Sequence, residues 1–275
     1  MPENDAAGSG ANMTGSAAIL ALMIDVARES GEIALKYFKS DPEVWTKDND
    51  SPVTEADLAV DRHIKARLTD PHPDIGWLSE ETTDNPDRLE RQRVFIVDPI
   101  DGTRAYIAGG DDWTVSMALV DGERPIVAVL YRPVTDHMYV AVHGQGATKN
   151  DESLKVIDRG QVSGARIAGP QALLKKPPLS EQGLINAGYI RSLALRLARV
   201  ADGGIDIAAA RGRSHDWDLA ASDLIVHEAG GLLSNLDGEP LTYNRPDPRH
   251  PTLVAAAPIL HKSMCSMIGD VVETG

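Results

Sequence analysis

Asp98-Pro99-Ile100-Asp101-Gly102-Thr103 follows directly on the apolar run Phe95-Ile96-Val97. A charged residue that closes a buried strand lies at the edge of a sheet, where sites gather. Pro99 holds its φ near about −65° and denies Asp98 a helical conformation, so a turn is expected there. In such a turn the two carboxylates converge on one point, and the Ile100 carbonyl between them can aim the same way. Gly102 permits close backbone approach, and Thr103 begins a helix whose free N–H groups suit an anion. Carboxylates and a carbonyl brought together are hard oxygen donors, the kind Mg2+ prefers. Read alone, the stretch is also an ordinary solvated Asp-Pro and Asp-Gly turn.

Further acids stand at comparable places. Glu80 and Glu81 end the apolar run at Trp77-Leu78-Ser79, either as ligands or as solvated charges. Asp216-Trp217-Asp218 precedes Leu219-Ala220-Ala221, a helix start at which Asp218 reads as a ligand or as a simple cap. Asp57, in Thr54-Glu55-Ala56-Asp57, reads as part of a capping box with Thr54.

The 275 residues suffice for one large or two modest domains, and 42% apolar with 25% charged residues is globular composition. A net charge of −14 argues against coating a nucleic-acid polymer, which needs a basic surface. No apolar stretch approaches the roughly 20 residues of a membrane span, and residues 1–10 do not read as a secretory signal. The single cysteine, Cys265, excludes an intrachain disulfide and a cysteine zinc cluster, reads as helix packing, and points to a reducing cytoplasm. The reading is a soluble intracellular protein.

Residues 1–14 read as a disordered leader, with Met13 a possible natural start. Helices are expected over 16–39 and, capped by Thr54, up to the prolines at 71 and 73. Strands follow at 75–78, 94–97, 114–120, 126–131 and 138–142, with Asp121-Gly122 suited to a hairpin. Beyond about 157, short runs at 166–168, 205–209, 231–234 and 253–256 alternate with helices at 191–201, 218–228 and 259–272. The organisation is therefore an N-terminal α+β half (15–157) with a largely antiparallel sheet, and a C-terminal α/β half (158–275).

Glu80, Asp98-Pro99-Ile100-Asp101-Gly102-Thr103, Trp217-Asp218-Leu219-Ala220-Ala221 and Thr54-Glu55-Ala56-Asp57 together resemble the signature of the inositol monophosphatase superfamily, in the expected order over about residues 17–267. The resemblance implies a layered αβαβα sandwich, of the type shared with fructose-1,6-bisphosphatase, and a Mg2+-dependent, lithium-sensitive phosphomonoesterase, usually a homodimer. It implies that Glu80, Asp98 and the Ile100 carbonyl hold one Mg2+ and that Asp98, Asp101 and Asp218 hold a second, with Glu80 helping a third. Gly102 and Thr103 N–H groups would bind phosphate, and the Thr103 hydroxyl paired with Asp57 would orient the attacking water. Lys47 matches a lysine of many relatives, or is a surface lysine. Elementary electrostatics agrees: without cations these carboxylates repel a phosphate ester, and with them the local sign inverts.

The substrate is less legible. Arg104 after Gly102-Thr103 resembles the bisphosphate nucleotidase (CysQ-like) branch. Arg211 stands where inositol-binding relatives commonly place a Glu, and Arg213 is close by. Guanidinium groups suit a second phosphate, or they face solvent. The leading expectation is adenosine 3′,5′-bisphosphate hydrolysed to AMP. Inositol monophosphate, histidinol phosphate, a sugar bisphosphate and a non-catalytic regulatory role are the alternatives. His63, His143 and His227 read as structural or solvated, and His215 as near enough to touch substrate.

Overall fold

The computed structural model describes residues 7–40, 44–46 and 52–273, so Lys47 lies outside the described residues. Helix α1 (Ala7–Tyr37) begins well before the expected residue 16 and ends before 39. Residues 7–14, expected as a disordered leader, continue that helix, and this small-residue stretch contains no proline to stop it. Strands β1 (Val44–Thr46) and β2 (Pro52–Thr54) pair antiparallel ahead of α2 (Glu55–Thr69).

One sheet then holds, in chain order, β3 (Gly76–Ser79), β4 (Arg93–Asp101), β5 (Thr114–Asp121), β6 (Arg124–Arg132), β7 (His137–Val142), β8 (Gly146–Lys149) and β9 (Glu152–Ser153). Helix α3 (Thr103–Ile107) follows β4. Strand β3 runs parallel to β4, and every later neighbour is antiparallel. A second sheet draws on β10 (Arg166–Ala168), β11 (Ile185–Asn186), β12 (Ile207–Ala210), β14 (Leu232–Asn235) and β16 (Leu253–Ala256), in the order β11-β10-β12-β16-β14. Strands β13 (Ser214–His215) and β15 (Arg249–His250) pair on their own. The remaining helices are α4 (Gln171–Leu174), α5 (Leu193–Ala201), α6 (Asp216–Glu228) and α7 (Pro258–Glu273).

Alternation along the strands fixes five layers. In β4, Phe95 and Val97 pack against Met23 and Val26 of α1 and Val60 and Ile64 of α2. Val94 and Ile96, on the opposite face, join Ala198 of α5 and Leu224 of α6. The second sheet repeats the pattern: Ala208 and Ala255 face the same two helices, whereas Ile207 and Val254 pack on Leu260 and Met264 of α7. The result is the αβαβα sandwich implied by the resemblance, with α5 and α6 between the sheets. Residues Leu219 to Val226 of α6 are buried without interruption, as expected of a helix enclosed on both sides.

Because Ile225 is fully buried in that middle layer, Ile225→Ala should cost about 2–5 kcal/mol of unfolding free energy. Urea denaturation in the presence of Mg2+ measures it, and a loss below about 1 kcal/mol would contradict the enclosure of α6.

Candidate active site

Two registers bring the acids together. Parallel pairing sets Ser79 of β3 beside Val97 of β4, so the next residues, Glu80 and Asp98, stand side by side. The Glu80 N–H still donates to the Val97 carbonyl at 3.3 Å. Between Asp98 and Asp101 the antiparallel pairing with β5 is irregular: Asp98 opposes Ser116 and Asp101 opposes Thr114. Strand β4 thus takes three steps where β5 takes two, which is a β-bulge. The expected turn at Pro99 is in fact this bulge, and the strand continues to Asp101. Pro99 is tolerated because a bulge is where a strand can lack a ladder N–H. Residues an odd number apart normally point to opposite faces. The extra residue cancels that, so Asp98 and Asp101 both face the middle layer.

The acid from the other sheet's side arrives on α6, which begins at Asp216 rather than at the expected 218. His215 is its N-cap, and the His215 N–H donates to Asp218 Oδ2 at 2.7 Å. Asp216 is fully buried and serves as an anchor: its Oδ1 meets His250 Nε2 at 2.7 Å, and its Oδ2 accepts the Asn244 N–H at 2.9 Å. The Ser116 hydroxyl donates to the Trp217 carbonyl at 3.4 Å, tying α6 to the first sheet. The His215 ring stacks flat on Trp217 with centroids 4.4 Å apart.

Glu80, Asp98 and Asp218 consequently offer carboxylate oxygens that all lie within 4.8 Å of one another. Asp101 is held differently. It accepts the Ala194 N–H at 2.7 Å, the Leu193 N–H at 3.2 Å and a short bond from the Ser192 hydroxyl, so it rests on the N-terminus of α5. Asp57 takes part in two interactions at once. Its Oδ2 accepts the Thr54 N–H and hydroxyl at 2.8 and 2.6 Å, closing the expected capping box, while the Thr103 hydroxyl donates to Oδ1 at 3.3 Å. The Ile100 carbonyl oxygen lies 3.1 Å from the same hydroxyl. Gly102 has φ +98°, and a Cβ there would stand 2.9 Å from the Asp112 carbonyl oxygen, so glycine is needed for both conformation and space.

Burial of like charges has a visible consequence. Burial, then Glu80 and Asp101, push Asp98 well above the ordinary carboxylate range. Burial, then Asp101 and Glu80, do the same to Asp218. Burial raises Asp57 and Asp101 to about 6 against their hydrogen bonds. A crowded cluster of hard oxygen donors, buried at Asp98 and half-buried at Glu80 and Asp218, that resist ionisation together fits a divalent cation, whose charge would reverse each shift.

Glu80, Asp98, Asp101 and Asp218 line a cleft of about 670 Å3 whose lining also includes Gly102, Thr103, Arg104, Arg211 and Arg213. Arg213 adopts φ +81°, unusual for a side chain of its size. Tyr189, Arg191, Ser192 and Arg196 are further residues of this region that the sequence reading missed. The one available signal was a charge inside Leu193-Ala194-Leu195-Arg196-Leu197, an otherwise apolar run. His215 borders the cluster as α6's cap, while His227 is bound to Asp223 and His63 to Glu29, each away from the cleft lining.

The profile of the inositol monophosphatase family matches residues 17–273. A 3′(2′),5′-bisphosphate nucleotidase CysQ from Aggregatibacter actinomycetemcomitans is 32% identical over 81% of this chain and 86% of its own length. Inositol monophosphatase 2 of Solanum lycopersicum is 32% identical over 78% of this chain and 86% of its own. The extragenic suppressor protein suhB of Bartonella henselae superposes with a TM-score of 0.80 at 26% identity, covering 91% of this chain and 98% of that one. The Thermotoga maritima IMPase, at 24% identity and TM-score 0.82 over 93% and 98% of the two chains, shares the fold.

The raised acids predict a pH signature. Between 3.8 and about 6 the folded, cation-free chain holds more protons on Asp57 and Asp101 than the unfolded chain does. Their contribution to stability therefore falls as pH rises through that window and is lost above it. A bound cation removes the penalty, so Mg2+ should raise the thermal midpoint more at about pH 7.5 than at about pH 5. Equal increments at the two pH values would show that Asp101 is not a ligand of the cation.

Proposed function

The chain belongs to the inositol monophosphatase family and is a phosphoric monoester hydrolase, and from that premise we propose that it removes the 3′-phosphate of adenosine 3′,5′-bisphosphate, leaving AMP. The observation that carries this reading is the mixed lining of one cleft: carboxylates brought by the end of β3, β4 and α6, and Arg104, Arg211 and Arg213 beside them. A substrate with two phosphates suits both sets of groups, and a CysQ nucleotidase is among the similar relatives.

Glu80, Asp98, Asp101, Asp218 and the Ile100 carbonyl would hold two or three Mg2+ ions. Divalent cations there supply positive charge to the phosphoryl and departing oxygens and ease deprotonation of the attacking water. The chain's own residues do the positioning. The Thr103 hydroxyl donates a hydrogen bond to Asp57, leaving the Thr103 oxygen to accept a hydrogen bond from the water and so turn the water's lone pair toward phosphorus. The first-turn N–H groups at Gly102 and Thr103 have no partner inside α3 and suit the phosphate oxygens. The arginines grip the phosphate that does not react. Lithium sensitivity, a homodimeric state and a cytoplasmic location belong to the proposal through the family resemblance. The Asp57–Thr103 pair favours turnover over a purely binding role, which has no use for an oriented water.

Inositol phosphate is the second reading, because the tomato inositol monophosphatase is as similar as the nucleotidase. Phosphate release with Mg2+ should be fastest from the nucleotide, and faster release from inositol 1-phosphate would overturn the substrate. Arg211→Glu should lower the ratio of nucleotide to inositol phosphate kcat/KM by about 10- to 100-fold. An unchanged ratio would remove Arg211 from substrate selection. Thr103→Val should lower kcat by about 10²–10⁴-fold with little change in KM, as expected for a group acting on the reacting water. A change confined to KM would assign Thr103 to binding alone.

A further inference from the structure

Helix α2 carries a second buried acid, one that the proposed reaction does not use. Asp61 stands one turn beyond Asp57, beside the core residues Val60 and Ile64, and is only 5% exposed. Capping accounts for Asp57 at the start of the helix. It cannot account for Asp61, and an aspartate is both a poor former of helix interiors and a costly group to bury. What offsets the cost is a pair of hydroxyls: Oδ1 accepts from Ser79 at 2.5 Å and Oδ2 accepts from Thr82 at 2.7 Å. The Ser79 oxygen accepts in turn from the Glu81 N–H at 3.4 Å.

Both bonds land on one short stretch of chain. Ser79 ends β3, and residues 80–82 are bends that belong to neither strand nor helix. Asp61 grips this stretch on both sides of Glu80, whose own N–H is tied to the Val97 carbonyl. That tie fixes the backbone at the sheet, whereas the two hydroxyl bonds fix the course the chain takes away from it. The same face of α2 carries Asp57, which holds the Thr103 hydroxyl. One turn of a single helix therefore links the water-orienting pair to an acid of the carboxylate cluster.

We propose that Asp61 is a positioning residue: acting through Ser79 and Thr82, it holds Glu80 at the separation from Asp98 and Asp218 that a divalent cation needs. The inference rests on the reading of Glu80 as a ligand of that cation and extends it one layer outward. Partners that orient a metal ligand without touching the metal typically change its affinity by about 10- to 100-fold. Without Asp61, Glu80 keeps its charge, but the bend that carries it must be ordered each time a cation binds, and that ordering is subtracted from the binding energy.

The test is a calorimetric titration of the full chain with Mg2+, run below the thermal midpoint of every variant. Asp61→Asn keeps the size of the side chain and removes the charge that orients both hydroxyls, and it should raise the Mg2+ dissociation constant by about 10-fold or more. In a Glu80→Gln background the same substitution should change that constant by less than about 2-fold, because no ligand is left to position. Ser79→Ala combined with Thr82→Val cuts the same two bonds from the other side and should reproduce the loss; this variant carries the comparison if Asp61→Asn does not fold. A purely structural Asp61 would lower the thermal midpoint and leave Mg2+ affinity untouched. That result, or a loss that persists undiminished in the Glu80→Gln background, would defeat the proposal while leaving Glu80 as a ligand. Unchanged Mg2+ affinity in Glu80→Gln alone would instead remove Glu80 from the cation's ligands, and the positioning role would go with it.

Discussion

Crowding of negative charge at the floor of a cleft is the constraint around which this molecule is organised. Glu80, Asp98 and Asp218 come from two strands and a helix and meet where the first sheet borders the middle layer. Each buried aspartate of the site is aimed by a fixed donor. Ile100 N–H holds Asp98 at 3.0 Å, His215 N–H holds Asp218, the α5 N-terminus holds Asp101, and Thr54 holds Asp57. Those donors offset part of the repulsion and fix at least one oxygen of each group. Cations are the natural counterweight for what remains. The site is thus a place where the fold itself stores unfavourable electrostatics, and that is possible only because three apolar clusters hold the layers in register.

What could be read from the sequence follows from how local each signal was. The β4 motif, the Thr54–Asp57 capping box and the strands β10 (Arg166–Ala168) and β16 (Leu253–Ala256) depend on neighbouring residues and were legible. The acids of the motif were legible too, since Asp98 and Asp218 carry their chemistry in their surroundings Asp-Pro-Ile-Asp-Gly-Thr and Trp-Asp. The bulge at Pro99 was not. A turn and a bulge use the same residues, and only pairing with Thr114 and Ser116 distinguishes them. Helix α6 gave little periodicity because it is buried on every side, and its start was fixed by distant partners, His250 and Asn244. Arg196 was hidden for a related reason: whether a lone charge on an apolar helix faces water or a cleft is decided by the sheet packed beside it.

Charge layout then bears on which substrates this cleft can use well. The chain as a whole is acidic, at −14, and an approaching bisphosphate meets a repulsive average field. That field is screened over about 8 Å at physiological ionic strength, so groups lining the cleft dominate once the substrate enters. On the proposed reading, the arginine wall holds a phosphate that takes no part in the reaction. Such a grip strengthens ground state and transition state alike unless it is converted into placement of the reacting group. Rigid anchors make that conversion. On that reading the point at which the remote phosphate stops, together with the length of the substrate, sets where its other end lies relative to the carboxylates. Selectivity in this cleft is, on that reading, a matter of span as well as charge.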